Sequence, residues 1–202
     1  MSSLEPRERS ARLEGFRVLG FLIALMWLSE IVDTAAGHRL DQYGIEPRDG
    51  DGLVGVATAP FLHAGFGHLI SNTVPLLTMG LAIAFAGAVR VVAVTAIVAL
   101  VSGLGTWLIA PEGTVHIGAS GVVFGYGTYL LSRGVFNRDL VELAIAAVVA
   151  VLWGGALLGG LLPEEGISWQ GHLFGAVGGV LAARLLARDR PGRSSPSPSP
   201  AR

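Results

Sequence analysis

Gly118-Ala119-Ser120-Gly121-Val122-Val123-Phe124-Gly125-Tyr126-Gly127-Thr128-Tyr129-Leu130-Leu131-Ser132 is apolar enough to lie in a membrane and too short to cross one. A helix from Ser120 to Ser132 is only ~20 Å long at ~1.5 Å per residue, against a hydrocarbon core of ~30 Å. With its far end at the membrane surface beside Arg133, its first residue starts below the opposite surface. The chain from 110 to 119 must then dip inward, which is tolerated only where backbone is buried in protein or lines a wet cavity. A serine at the bottom of a water-filled pit is a plausible nucleophile.

Working outward, the rest of the chain is of the same kind. Hydrophobic residues make up 51% of the 202 residues, charged residues 14%, and mean hydropathy is +0.60, which identifies a multi-pass membrane protein. Six candidate spans lie at 18–36, 67–86, 89–110, 119–132, 140–160 and 169–187. The expected organisation is a cytoplasmic segment 1–17, a six-helix membrane domain 18–187 and a disordered Ser/Pro-rich tail 188–202. Segment 37–67 is long for a loop and mixes charges with Leu53, Val54, Phe61 and Phe66, a pattern suited to the outer membrane interface. No cysteine is present, which excludes disulfides, thiolate metal sites and a cysteine nucleophile. All basic residues are arginine, and with abundant Ala and Gly this suggests a bacterial source. The N-terminus shows no apolar stretch ending in a small-residue cleavage site, so the first span is expected to stay as an anchor.

Cytoplasmic loops keep their arginines, translocated loops are depleted of them. Arg7, Arg9, Arg12 and Arg17 precede the first span; Arg90, Arg133 and Arg138 lie in alternate loops; Arg184, Arg188, Arg190, Arg193 and Arg202 close the chain. Both termini are therefore expected in the cytoplasm of a cell whose plasma membrane holds the protein.

Taken singly, the polar residues of the spans have ordinary readings. Ser120 suits helix packing, His172 an interhelical hydrogen bond, and His68 with Asn72 a polar clasp, while His63 and His116 suit solvated positions. Topology changes the balance. His68 and Asn72 begin span two, Ser120 begins span four and His172 begins span six, and all even-numbered spans enter from the same side. Three helices thus present polar groups at one leaflet, whichever way the protein is oriented. Ser120 at a helix N-terminus has unpaired N–H groups beside it that favour a developing oxyanion, and Gly118 and Gly121 leave room for a substrate backbone. Gly121 and Gly125, with Gly171, Gly175 and Gly179, form small-residue stripes that draw spans four and six together. His68 and Asn72, four apart, share a helical face. His63 falls off that face and is assigned a supporting role.

At these residues the sequence resembles the rhomboid family of intramembrane serine proteases. The pattern H-x4-H-x3-N at His63, His68 and Asn72, G-x-S-G at Gly118 to Gly121, and H-x2-G-x3-G at His172, Gly175 and Gly179 match in order, spacing and span placement. The resemblance implies a six-transmembrane-helix bundle, all-α, with a short fourth helix starting inside the membrane, that cleaves transmembrane segments of other membrane proteins. Carried over by motif, Ser120 is the nucleophile and His172 the general base; His68, Asn72 and the Ser120 backbone form the oxyanion site. The active site would open to the outer face, and no cofactor or metal is required. Phe124 stands where many members stack a tyrosine on the catalytic histidine, keeping the ring and losing the hydroxyl. The first loop lacks the Trp-Arg pair of many members, and the family often gates access near 157–168. The partners implied are transmembrane protein substrates and the lipid bilayer, with no nucleic acid; the sequence does not indicate an oligomeric state.

Three rivals have some footing. A catalytically inactive relative that binds transmembrane clients is the nearest, although such relatives usually lose the Ser or the His. A small transporter would use Glu30 and Asp33, or Asp139 and Glu142, but these lie near span ends, where solvated or capping roles are expected. Metal hydrolysis lacks an H-E-x-x-H motif, and Asp49-Gly50-Asp51-Gly52 reads as a turn.

Overall fold

The computed structural model describes residues 6–164 and 166–187. The expected Ser/Pro tail at 188–202 lies outside the described residues. Among the described residues there are six long helices: α1 (Pro6–Ala35), α2 (Phe66–Ala84), α3 (Ala88–Ile109), α4 (Ser120–Asn137), α5 (Leu140–Gly159) and α6 (Trp169–Leu185). A four-residue helical turn and three short 3-10 turns lie between α1 and α2. Among the described residues there is no strand, only an isolated antiparallel bridge between Ile45 and His116. Among the described residues four helices, α1, α2, α3 and α5, are long and apolar enough to cross a membrane. Their outer faces expose large apolar side chains such as Phe21, Leu28, Val92, Leu104 and Val151, as lipid-facing helices do.

Two elements differ from the sequence expectation. Helix α1 starts at Pro6, three turns before the expected span, because nothing in the Arg- and Glu-rich stretch breaks a helix. Helix α4 runs 18 residues to Asn137 and so is longer than the 120–132 stretch suggested. The helix continues past Arg133, which pairs with Glu142 at the start of α5, and Asn137 donates to the same carboxylate at 2.7 Å. The helix stops where Arg138 adopts a left-handed conformation, φ 53°, and Asp139 caps α5 by accepting from the Val141 and Glu142 N–H groups.

The core sits where α2, α3, α4 and α6 converge, around Leu69, Met79, Val94, Tyr126 and Ala182. Helices α4 and α6 touch backbone to backbone. A Cβ on Gly175 would collide with the Gly121 carbonyl, and one on Gly179 with the Gly125 carbonyl; a Cβ on Gly125 would lie 2.9 Å from the Gly175 carbonyl. Thr128 Oγ1 donates across this seam to Ala176 O at 2.8 Å, and Ser102 Oγ on α3 donates to Gly171 O at 2.8 Å. These contacts fix the axial register of α6 against both neighbours. At the opposite end from the Ser120 terminus, Arg90 donates to the Leu186 carbonyl at 2.6 Å, tying the start of α3 to the end of α6.

The segment between α1 and α2 is folded onto the chain before Ser120. Ile45 and His116 exchange both backbone hydrogen bonds, at 2.9 and 3.0 Å, and Gly118 N–H donates to Ala59 O at 2.9 Å. Arg48 reaches over to Glu112 at 2.7 Å and to the Leu108 carbonyl at 3.0 Å, and the Trp107 indole N–H donates to Asp49 O at 2.7 Å. Asp49 Oδ1 accepts from Asp51 N–H, making the Asp-Gly-Asp-Gly stretch a local turn that leads into a 3-10 helix.

Candidate active site

Ser120, His172, His68, Asn72 and Phe124 all line one cavity of about 1070 Å³, whose apolar wall includes Trp153 and Leu157 of α5. The helices bring them there by their starts: α2 carries His68 and Asn72 in its first two turns, α4 begins at Ser120, and α6 carries His172 in its first turn.

The His172 ring is held by two groups. Its Nδ1 lies 2.7 Å from the Gly160 carbonyl, and since a carbonyl only accepts, the proton sits on Nδ1 and Nε2 is left with a free lone pair. Phe124 stacks on the ring with centroids 4.1 Å apart and planes 7° from parallel. Gly160 is close to both, for a Cβ there would lie 2.6 Å from Phe124 Cζ and 3.1 Å from His172 Nδ1. Ser120 lines the same cavity as His172, and the hydrogen bond between such a pair is often long before a substrate binds.

The opposite wall is built from donors. Ala64 N–H donates to His68 Nδ1 at 3.3 Å, so the neutral His68 ring carries its proton on Nε2. That edge of the ring packs on Gly118, where a Cβ would lie 2.8 Å from Nε2. Gly118 also has φ +117°, a conformation reached without strain only by glycine, so no side chain fits there on either ground. Asn72 Nδ2 donates to the His68 carbonyl at 2.9 Å, which spends one of its two N–H groups and leaves the second. Beside them, the first turn of α4 leaves its N–H groups without intrahelical partners. Gly121 packs on Ser102 and on the Gly171 carbonyl, which lies 3.2 Å from the position of a Cβ.

His63, read as solvated or supporting, is 1% exposed and stands behind the residue before Ser120. Its Nε2 accepts from Ala119 N–H at 3.3 Å, and its ring meets His68 edge-on at 5.2 Å. Burial first, then the neighbouring His68, pushes its pKa down from 6.5 to about 4.

His116, also read as solvated, forms a directional chain that the sequence reading missed. Thr114 Oγ1 donates to Pro111 O at 2.6 Å, so it accepts from His116 Nε2–H at 2.8 Å. His116 Nδ1 then accepts from Ser168 Oγ–H at 2.8 Å, and Ser168 Oγ accepts from Gly171 N–H as the N-cap of α6. The loop that delivers Ser120 is thereby tied to the cap of the helix that delivers His172. Burial lowers the His116 pKa, which keeps this chain in its neutral form.

The remaining sequence candidates lie elsewhere. Glu30 and Asp33 are fully buried at the end of α1, so they are not solvated, and they are not among the residues that line the cavity. Asp139 is a helix cap and Glu142 an ion-pair partner.

Comparison with known proteins shows the family. The Rhomboid domain family matches residues 51–189. An uncharacterized protein of Mycobacterium tuberculosis is 48% identical over 181 residues, covering 86% of this chain and 75% of its own. An uncharacterized protein of Mycobacterium leprae is 44% identical over 182 residues, covering 86% and 71%. A Bacillus subtilis protein provisionally named rhomboid protease YdcA is 31% identical over 160 residues, covering 78% and 76%. The chain belongs to the rhomboid family.

Proposed function

We propose that this protein is an intramembrane serine endopeptidase, a six-span bundle that hydrolyses peptide bonds in or beside transmembrane segments of other membrane proteins. The observation that carries this reading is that Ser120 and His172 line one cavity while the Gly160 carbonyl holds the His172 proton on Nδ1. Nε2 is then the basic nitrogen on the ring, as a general base for Ser120 requires. Ser120 Oγ attacks the scissile carbonyl as His172 Nε2 takes its proton. The tetrahedral oxygen is met by the Ser120 N–H at the positive end of α4, by His68 Nε2–H and by the second N–H of Asn72. The imidazolium formed at His172 keeps its Nδ1–H bond to the Gly160 carbonyl dipole and lies over the Phe124 face, which together serve where other serine proteases place a carboxylate. His172 returns the proton to the leaving amine, and a water from the outer face hydrolyses the acyl-enzyme.

The arginine distribution supports a plasma-membrane protein with both termini cytoplasmic and the cavity opening outward. The substrate must present an extended backbone to Ser120, so helix-weakening Gly, Pro and small residues near the bond favour cleavage. The test is cleavage of a panel of tagged single-span substrates in proteoliposomes by wild type, Ser120→Ala and His172→Ala, read by gel and mass spectrometry. Cleavage by wild type that disappears in both folded variants is expected. Equal substrate binding by all three with no cut across the panel would overturn the proposal in favour of client binding.

A further inference from the structure

Helix α1 ends in a group of acids with no role in the cavity. Glu30 and Asp33, three apart on one face, are both 0% exposed. Thr34 Oγ1 donates to Glu30 Oε1 at 3.2 Å and Leu40 N–H to Asp33 Oδ1 at 2.6 Å. Their second oxygens, Glu30 Oε2 and Asp33 Oδ2, are buried without a hydrogen bond among the described residues, and so is Asp41 Oδ1 in the turn that follows. Two left-handed residues, Gly37 at φ 70° and His38 at φ 59°, fold the chain back so that His38 and Asp41 come over Asp33. His38 Nδ1 lies 3.4 Å from Asp33 Oδ2 without hydrogen-bond alignment. One ligand atom each from Asp33, His38 and Asp41 falls within 4.8 Å of the others.

Asp33 and Asp41 lie within hydrogen-bond reach of each other with Glu30 close by, and these carboxyl groups repel one another and have lost water, a costly arrangement that a shared proton or a cation between them relieves. The His38 side chain stands on the rim, half exposed, 3.4 Å from Asp33 Oδ2. We propose that Asp33, His38 and Asp41 bind a divalent metal cation, whose two charges the Asp33 and Asp41 carboxylates balance.

The donor set selects the class of metal. One imidazole nitrogen with carboxylate oxygens suits Zn²⁺ or Mn²⁺, whereas Ca²⁺ and Mg²⁺ favour all-oxygen shells. Metal bonds of ~2.0–2.2 Å need ligand atoms closer together than an empty-handed cluster requires, and the exposed His38 side chain is free to close in. Such a cation joins the end of α1 to the Asp41–Tyr43 turn, two residues before Ile45 and its bridge to His116. It therefore anchors the loop that braces the chain before Ser120. The proposal concerns binding and stability, and stands whether or not the protein is a protease.

The full-length protein, purified in detergent and stripped with EDTA, is titrated by calorimetry with ZnCl2, MnCl2, CaCl2 and MgCl2, and its Tm is followed in parallel. Saturable binding of one Zn²⁺ or Mn²⁺ with a rise in Tm is expected. Asp41→Asn and His38→Gln should each weaken binding by at least about tenfold while the apo Tm stays near wild type. His38→Gln changes an exposed side chain, so it keeps the test open if Asp41→Asn fails to fold. No binding by wild type, binding of Ca²⁺ or Mg²⁺ alone, or Zn²⁺ binding undiminished in the folded variants would each overturn the assignment; the last would place the metal on the cavity histidines.

Discussion

Helix α4 meets α6 and α5 in opposite ways. Against α6, the missing side chains of Gly175 and Gly179 are replaced by carbonyls of α4, so neither helix can slide or rotate without a backbone collision. Against α5, close backbone approach is confined to the start of that helix, where Gly134 of α4 would place a Cβ 2.7 Å from Leu143 N, next to the Arg133–Glu142 pair. Further along, the seam depends on the tip of Leu157 against Gly127, and Gly154, Gly155 and Gly159 have nothing within 4 Å of a Cβ. One seam sets the distance between Ser120 and His172; the other is a cavity wall fastened at one end. The proposed proteolysis would call on both, a frame that keeps the reacting groups in place and a less tightly held side for a polypeptide to enter.

The comparison is broken most severely at Gly175. Gly175→Leu drives a side chain into the Gly121 carbonyl and should cost at least about 3 kcal/mol, abolishing folded, active protein; circular dichroism and size exclusion in detergent will show it. A smaller and more selective effect is expected at Gly160, where α5 meets the site. Gly160→Ala places a methyl against Phe124 and His172 and should lower kcat by about 10- to 100-fold, ~1.4–2.7 kcal/mol of barrier, with the fold retained. Kinetics on a cleavable substrate, beside a thermal melt, separate the two.

The support behind Ser120 is sharpened by pH. His63 is depressed from 6.5 to about 4 in the folded protein, so the unfolded chain binds more protons between those values. Its contribution is complete above about pH 6.5 and is lost as pH falls toward 4, by roughly 2 kcal/mol at about pH 5. Denaturation midpoints measured across that range should fall, and the slope should flatten in His63→Gln. Smallest is the effect on the loose seam itself. Gly155→Ala fills open space in mid-helix and should stabilise by about 0.5–1 kcal/mol, seen as a slightly higher Tm.

Much of the site was legible because its residues are anomalies. A histidine, a serine or an asparagine in an apolar span stands out, and the even-span argument needs only their order along the chain. The glycine stripes of α4 and α6 were equally plain, since small residues every four positions have a direct structural meaning. What escaped the sequence was of two kinds. The Gly160 carbonyl orients His172, yet every residue has a carbonyl and none marks itself. His116 and Ser168 are 52 residues apart, and either alone is an ordinary polar loop residue. The length of α4 was misjudged for a related reason: Arg133 looked like the end of a span, but its charge is met by Glu142 nine residues later, and the helix continues past it. Burial of Glu30 and Asp33 depends on a chain reversal at Gly37 and His38 that the sequence does not announce.

The use of the Gly160 carbonyl at His172 has an electrical consequence. A carboxylate in that place would put a fixed charge at depth in the bilayer, where the membrane voltage acts on it with ~2.3 kcal/mol per elementary charge per 100 mV. A peptide dipole holding a neutral imidazole gives the resting site no such charge. Substrate binding to the resting site should therefore be the same in energised and de-energised vesicles.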